Sequence, residues 1–220
     1  MNRINLMHNY PKQDRQNYIS RVNTLTIDEI NTSRKFGKEY FDGERKYGYG
    51  GYHYDPKFFS QVVRDFVNHY ELNDGSKILD IGCGKGFMLY DFKKLNQTFD
   101  VYGLDISEYC YENCIDNKIK EKFTVGSCDN LPYADNSFDL VISISTIHNL
   151  DIDGVKKSLL EIDRVAKKKA FIKVNGYSSE EEKIQIEGWN IVAKTSLHEL
   201  EWLNLFKECN YNYDYDFFKP

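Results

Sequence analysis

The segment Asp80-Ile81-Gly82-Cys83-Gly84-Lys85-Gly86 concentrates most of the residues in this chain that could do chemistry. Glycines let the backbone turn sharply and let a ligand approach the main chain. Their spacing is Gly-x-Gly-x-Gly, tighter than the Gly-x-Gly-x-x-Gly of dinucleotide sites. Asp80 stands two residues before the first glycine. A carboxylate so close to the turn would repel a pyrophosphate and suits a ligand with a cationic end. No Gly-Lys-Ser/Thr follows, so the P-loop form is absent.

The ammonium of S-adenosylmethionine is such an end. Asp105 closes the next apolar segment, where a carboxylate can accept hydrogen bonds from both hydroxyls of a ribose. That device alone does not separate S-adenosylmethionine from NAD. Gly126-Ser127-Cys128-Asp129-Asn130-Leu131-Pro132 falls where an adenine would lie, and Asp129 could accept from its exocyclic amine. Beyond the strand 138–144 comes Ser145-Thr146-Ile147-His148-Asn149, in place of the Asn/Asp-Pro-Pro-Tyr of many amino-directed nucleic-acid methyltransferases. His148 is the first candidate for a general base or acceptor ligand, because histidine titrates near neutral pH. The competing reading is a histidine that satisfies local backbone groups. Tyr47 is a second catalytic candidate, in the Tyr/Gly-rich segment 40–54. That segment reads as a loop and as a lid, since glycines allow movement and tyrosines can shield a sulfonium. A static loop packed by its own aromatics is the alternative. Trp189 could wall the site or belong to the core, and His198 fits a solvent-facing residue of a helix first turn.

These residues need a frame, and the chain alternates short apolar runs with helical periodicity from residue 77 onward. Strands are expected at 77–81, 101–104, 123–125, 138–144 and 170–174, with helices at 58–70, 87–95, 107–117 and 155–165. Alternation of this kind implies a parallel sheet covered by helices on both faces. Thr26-x-x-Glu29, Ser178-x-x-Glu181 and Ser196-x-x-Glu199 have the capping-box form that starts helices. Residues 211–218 read as a final, antiparallel edge strand. Residues 1–25 are polar and aperiodic and read as a partly ordered arm. The chain divides accordingly into an arm and lid, 1–56, and a catalytic domain, 57–220.

Composition narrows the function classes. The chain has 220 residues with 41% hydrophobic and 29% charged, as expected of one soluble globular domain. A net charge of −5 argues against affinity built on phosphate neutralisation, so no nucleic-acid partner is expected. No apolar run reaches the ~20 residues of a membrane span, and residues 1–11 lack a signal-peptide core. Five cysteines without framework spacing fit a reducing, cytoplasmic compartment. Cys110 and Cys114 could share a helix face, as a metal pair or as small buried thiols; the second reading is preferred and no metal is assigned. Oligomeric state, a homodimer included, is left open.

Taken in order, 78–86, Gly103-Leu104-Asp105-Ile106, 129–132 and 137–145 resemble the successive motifs of class I S-adenosylmethionine-dependent methyltransferases. The resemblance covers roughly 75–175 and implies a Rossmann-like, doubly wound, seven-stranded α/β sheet, mostly parallel, with a reversed last strand. It implies that Asp80, Gly82, Cys83, Gly84 and Gly86 take the methionine end of S-adenosylmethionine. Asp105 and Ile106 serve the ribose side, Cys128, Asp129 and Asn130 the adenine, and Ser143 completes the set. The flanks, Phe36-Gly37-Lys38-Glu39-Tyr40-Phe41-Asp42-Gly43 and Trp189-Asn190 among them, resemble a narrower bacterial group whose acceptor is undefined. The expected activity is in-line methyl transfer to a small-molecule acceptor. The rival expectations are an RNA or protein acceptor, and cofactor binding without turnover.

Overall fold

The computed structural model describes residues 1–11 and 24–219. A seven-stranded sheet forms its centre. The strands are β1 (Lys77–Ile81), β2 (Asp100–Asp105), β3 (Phe123–Val125), β4 (Leu140–Ile144), β5 (Ala170–Tyr177), β6 (Leu197–His198) and β7 (Asp214–Phe218). The helices are α1 (Ile27–Ser33), α2 (Lys38–Asp42), α3 (Pro56–Tyr70), α4 (Phe87–Leu95), α5 (Glu108–Glu112), α6 (Asn117–Lys120), α7 (Ile152–Val165), α8 (Glu180–Trp189) and α9 (Glu199–Glu208). Strand order is β3-β2-β1-β4-β5-β6, with β7 also on β5. The winding reverses between β1 and β4, and the carboxyl ends of such strands are where open α/β sheets bind ligands. The expected doubly wound α/β architecture is therefore present.

Side-chain alternation along the strands divides the core. Ile78, Leu140, Ile142 and Phe171 share one cluster with Val62, Val63 and Phe66 of α3 and Leu89 and Phe92 of α4. Leu79, Ile81, Val141 and Ile172 share the other with Val155 and Leu159 of α7 and Trp202 and Phe206 of α9. Both faces of the sheet are buried, which is why the strands read as nearly continuous apolar runs.

Several boundaries and one direction differ from the sequence reading. β7 is parallel to β5, with Phe171 opposite Asp214 and Asn175 opposite Phe218. The reason is the connection: α9 runs back along the sheet, so the chain enters β7 from the same end as β5. An antiparallel strand would need a hairpin there. The helix expected over 107–117 is broken into α5 and α6. Ile115 donates its N–H to Lys85 O, and the Asp116 carboxylate caps α6 through Lys118 and Ile119 N–H. The capping box at Thr26 is as expected. The other two shift along the chain: Ser179 caps α8, and His198 caps α9 with Glu201 closing the box. Tyr40–Asp42, expected in a loop, ends α2 instead.

The first residues are not a loose arm. Arg3 bridges to Tyr215 of β7 in parallel, Ile4 N–H donates to Tyr215 O, and Leu6 and Met7 are buried with Phe41 and Phe66. The remainder of that expected arm, 12–23, lies outside the described residues. The segment before residue 57 thus shares a core with the sheet. Leu6 is 5% exposed, so Leu6→Ala is expected to cost about 2–4 kcal/mol in urea unfolding. A loss below about 0.5 kcal/mol, the range of surface substitutions, would show that the segment is not docked.

Candidate functional site

The glycine loop turns between β1 and α4 on left-handed backbone. Gly82 has φ +79, and a Cβ there would lie 2.0 Å from Thr146 Oγ1. Gly84 has φ +54, with the Tyr52 ring 3.0 Å from where its Cβ would be. Only glycine fits both positions. Gly82 and Cys83 N–H both donate to Leu104 O, which ties the loop to β2 (2.7 and 3.2 Å).

Asp80 and Asp105 close adjacent strands and are both buried. Asp105 accepts from Gly84 N–H at 2.8 Å and from Ser107 N–H at 2.9 Å. Burial pushes its carboxyl upward, and the surrounding backbone N–H groups of Ser107, Gly84 and Ile106 oppose that. Asp80 is raised to about 7, first by burial and then by the Asp105 charge. A buried carboxylate poised in this way gains most from a cation placed beside it.

A cavity of about 520 Å³ opens above this floor. Asp80, Gly82 and Cys83 form its base, and Ser145 and Asn149 follow β4 along one side. Tyr40, Tyr49, Tyr52 and Trp189 supply aromatic wall, while Met7, His8 and Tyr10 come from the N-terminal segment. The volume lies in the range of small-molecule sites. Ser145 holds φ +56, a conformation unusual for a non-glycine residue and found most often at functional sites.

The segment 40–54 lies over the glycine loop, as a lid would. Lys85 Nζ, from within the loop, donates to Asp42 Oδ2 at 2.5 Å and to Tyr52 O at 2.9 Å. Tyr52 N–H and Tyr109 OH also donate to Asp42 (2.8 and 2.6 Å). Burial would raise the Asp42 carboxyl, but the hydrogen bonds of Lys85, Tyr109 and Tyr52 outweigh it and hold the group at about 2. The Tyr52 ring continues the contact, 4.7 Å from Phe87 and 4.5 Å from Tyr49. Lys85 and Asp42 were not singled out from the sequence. Their signal was a lysine inside a glycine loop, where nothing in the local pattern requires one.

The other expected site residues separate. Gly84, Gly86 and Asp105 hold the turn, and Ile106 is 53% exposed just beyond β2. Asp129 is half-buried and Asn130 exposed after β3, while Cys128 is buried and takes a Ser158 Oγ contact at 3.4 Å. Ser143 does not face the cavity. It is in register with Ile81 and Ile172, whose side chains pack toward α7 and α9, and its neighbour Ile144 faces the cavity instead. Tyr47 does not line the cavity either; it closes a turn with Glu44 and carries Lys46 over its ring.

His148 is corrected most. It is fully buried and does not line the cavity. Its Nδ1 accepts from Asn175 N–H at 3.2 Å, its Nε2 is 3.0 Å from the Asn190 side-chain amide, and its carbonyl takes Lys194 and Thr195 N–H. Burial lowers the ring to about 3, so it stays neutral. Its ring thus contacts the side chain of Asn190, which lines the cavity. Trp189 lines the cavity and stacks on Phe218 at 4.7 Å.

The architecture and this turn define the class I methyltransferase fold. Residues 79–173 match the family model described as "Methyltransferase domain". The chain is 34% identical over 91 residues to phosphoethanolamine N-methyltransferase 3 of Arabidopsis thaliana, covering 40% of this chain and 18% of that one. It is 30% identical over 149 residues to the ribosomal protein L11 methyltransferase of Thermotoga neapolitana, covering 64% and 52%. Among solved structures, a Haemonchus contortus phosphoethanolamine N-methyltransferase 2 in complex with phosphomonomethylethanolamine and S-adenosylhomocysteine superposes with TM-score 0.55 at 22% identity, covering 72% and 39%. This chain spans only part of the length of these relatives. Residues 79–173 are thus similar to methyltransferase domains, on the fold that class I methyltransferases share.

Two outcomes follow from the site's geometry. The folded His148 value lies below that of the unfolded chain, so its neutral ring adds stability above pH 6.5 that is lost as pH falls toward 3. Between pH 7.5 and 5.0, wild type should lose about 2 kcal/mol more than His148→Gln in urea unfolding; parallel curves would show that the ring is not buried neutral. Asp42→Asn should speed trypsin cleavage within 43–54 several-fold, and unchanged cleavage would show that Lys85 does not hold this segment.

Proposed function

We propose that the protein is an S-adenosylmethionine-dependent methyltransferase whose acceptor is a small molecule held in the cavity above Asp80. The observation that carries this reading is the cavity itself: a glycine-loop floor with a buried carboxylate, walled by aromatic side chains from the lid. When bound, S-adenosylmethionine supplies a methyl group on a sulfonium that is its own leaving group. Asp80 would meet the ammonium, and the left-handed glycines let that end lie against the main chain. Asp105 would meet the ribose hydroxyls across the turn it already organises. Ile106 and Asp129 would flank the adenine at the open edge. The protein's work is then to align the acceptor and to exclude water, which lid tyrosines and Trp189 do by walling the cavity. No role as base falls to His148, since its ring faces Asn175 and Asn190. The cavity's volume, in the range of small-molecule sites, favours a small acceptor over the macromolecules named among the relatives.

Calorimetry tests the cofactor assignment. S-adenosylhomocysteine should bind wild type, and Asp105→Ala should weaken it at least tenfold, about 1.4 kcal/mol. Asp80, raised to about 7, is largely protonated at pH 6.5. An incoming ammonium stabilises its charged form, so binding should release a proton and tighten as pH rises from 6 to 8. Asp80→Asn should abolish both effects. Unchanged affinity in Asp105→Ala would remove the ribose role. The acceptor class is tested by transfer of labelled methyl to cell fractions; label confined to RNA or protein would overturn the small-molecule reading.

A further inference from the structure

Resting on that reading of the cavity, we infer that the acceptor carries an anionic group, carboxylate or phosphate, seated on Lys173, Lys219 and Arg3 at the far end from the glycine loop. Lys173 interrupts the apolar run of β5: Phe171, Ile172 and Val174 around it are fully buried, whereas its ammonium-bearing side chain is 12% exposed. A parallel strand covered on both faces rarely spends an interior position on a charge. Lys173 is in register with Ile144, and both side chains line the cavity. Asp80 lies on β1, with β4 between it and β5. Two strand spacings, about 10 Å, separate the β1 and β5 backbones, and Lys173 stands two residues further along its strand than the position level with Asp80. That distance leaves room for a small acceptor between a methyl donor at one end and an anion seat at the other.

A side recess adjoins the cavity there and shares Asn5, Lys173 and Lys219 with it. Its lining carries the cations Arg3, Lys173 and Lys219 against a single carboxylate, Asp216. The other acids of this cluster, Glu182 and Glu199, hold Lys219 at 2.5 and 2.7 Å, and Glu199 also holds Arg3 at 3.0 Å, but neither lines the recess or the cavity. They fix the cations in place. Asp216 is shared between Lys173 at 2.5 Å and Arg3 at 3.7 Å. Lys173 has three N–H donors, and Asp216 is its sole hydrogen-bonded acceptor among the described residues. Within a cluster that Glu182 and Glu199 bring to charge balance, the surface an anion would meet in the recess presents three cations against one carboxylate, with donors whose positions are already set, the arrangement that makes charge-assisted hydrogen bonds effective.

The test uses the full chain saturated with S-adenosylhomocysteine and titrated with inorganic phosphate or with acetate at constant ionic strength, followed by amide NMR shifts. Saturable binding in the millimolar range or tighter is expected, with shifts at Asn5, Lys173 and Lys219. Lys219→Gln and Arg3→Gln, both at partly exposed positions, should each weaken the anion at least fivefold while S-adenosylhomocysteine affinity stays within twofold. Tighter phosphate than acetate assigns a phosphorylated acceptor, and the reverse a carboxylate. Absence of saturable anion binding, or affinity unchanged in both variants, overturns the inference. Failure of the methyltransferase reading would appear separately, as no binding of S-adenosylhomocysteine by wild type.

Discussion

Two carboxylates sit side by side at the ends of β1 and β2, and the rest of the site is arranged around keeping them there. Asp80 and Asp105 are both buried, and each raises the cost of ionising the other. In isolation that is an unfavourable place for charge. Asp105 is relieved by the N–H groups of Gly84 and Ser107, which exist in that orientation only because the loop turns on left-handed glycines. Asp80 receives no such relief from the loop and remains poised near neutrality. The asymmetry divides the labour: one carboxylate holds the turn, and the other awaits a cation.

The segment 40–54 depends on the same turn. Lys85 belongs to the glycine loop, yet its ammonium reaches away from the ligand side to Asp42 and the Tyr52 carbonyl. The Tyr52 ring then lies on the bare backbone of Gly84. Any side chain at that glycine would push the ring outward, so the bare backbone of Gly84 also seats the segment 40–54. Ser107 adds a second tether: its N–H donates to Asp105 while its Oγ donates to the Phe36 carbonyl at 2.6 Å. The cofactor turn and the cavity roof are thus one mechanical unit.

Where the information was local, the sequence was legible. Apolar period and glycine punctuation placed β1, α4, β2 and β4, and the acid-before-glycine pattern singled out Asp80. What it could not supply depended on partners distant in the chain. Whether His148 faced the cavity or the core rested on Asn175 and Asn190, which no local pattern ties to it. Ser143 and Ile144 are equally plausible from a run of apolar strand residues; one residue of register decides which side chain sees the cavity. Tyr47 was drawn from a set of tyrosines that composition could not rank. Asp42–Lys85 joins positions far apart in sequence and has no spacing to betray it.

The direction of β7 shows how such long-range facts bear on function. A strand parallel to β5 lays Asp216 beside Lys173, and its carboxyl end carries Phe218 and Lys219 to the cavity. Reversing the strand would send those residues to the opposite edge of the sheet. The outer edge of β7 then accepts Arg3 and Ile4, which brings Asn5, Met7 and His8 over the same opening. The two segments that the sequence left least defined, the N-terminal stretch and the last strand, therefore pair with each other and together line the cavity end away from the glycine loop. The glycine-loop end of the cavity follows from one contiguous motif, whereas its other end forms only where residues 3–8 meet β7.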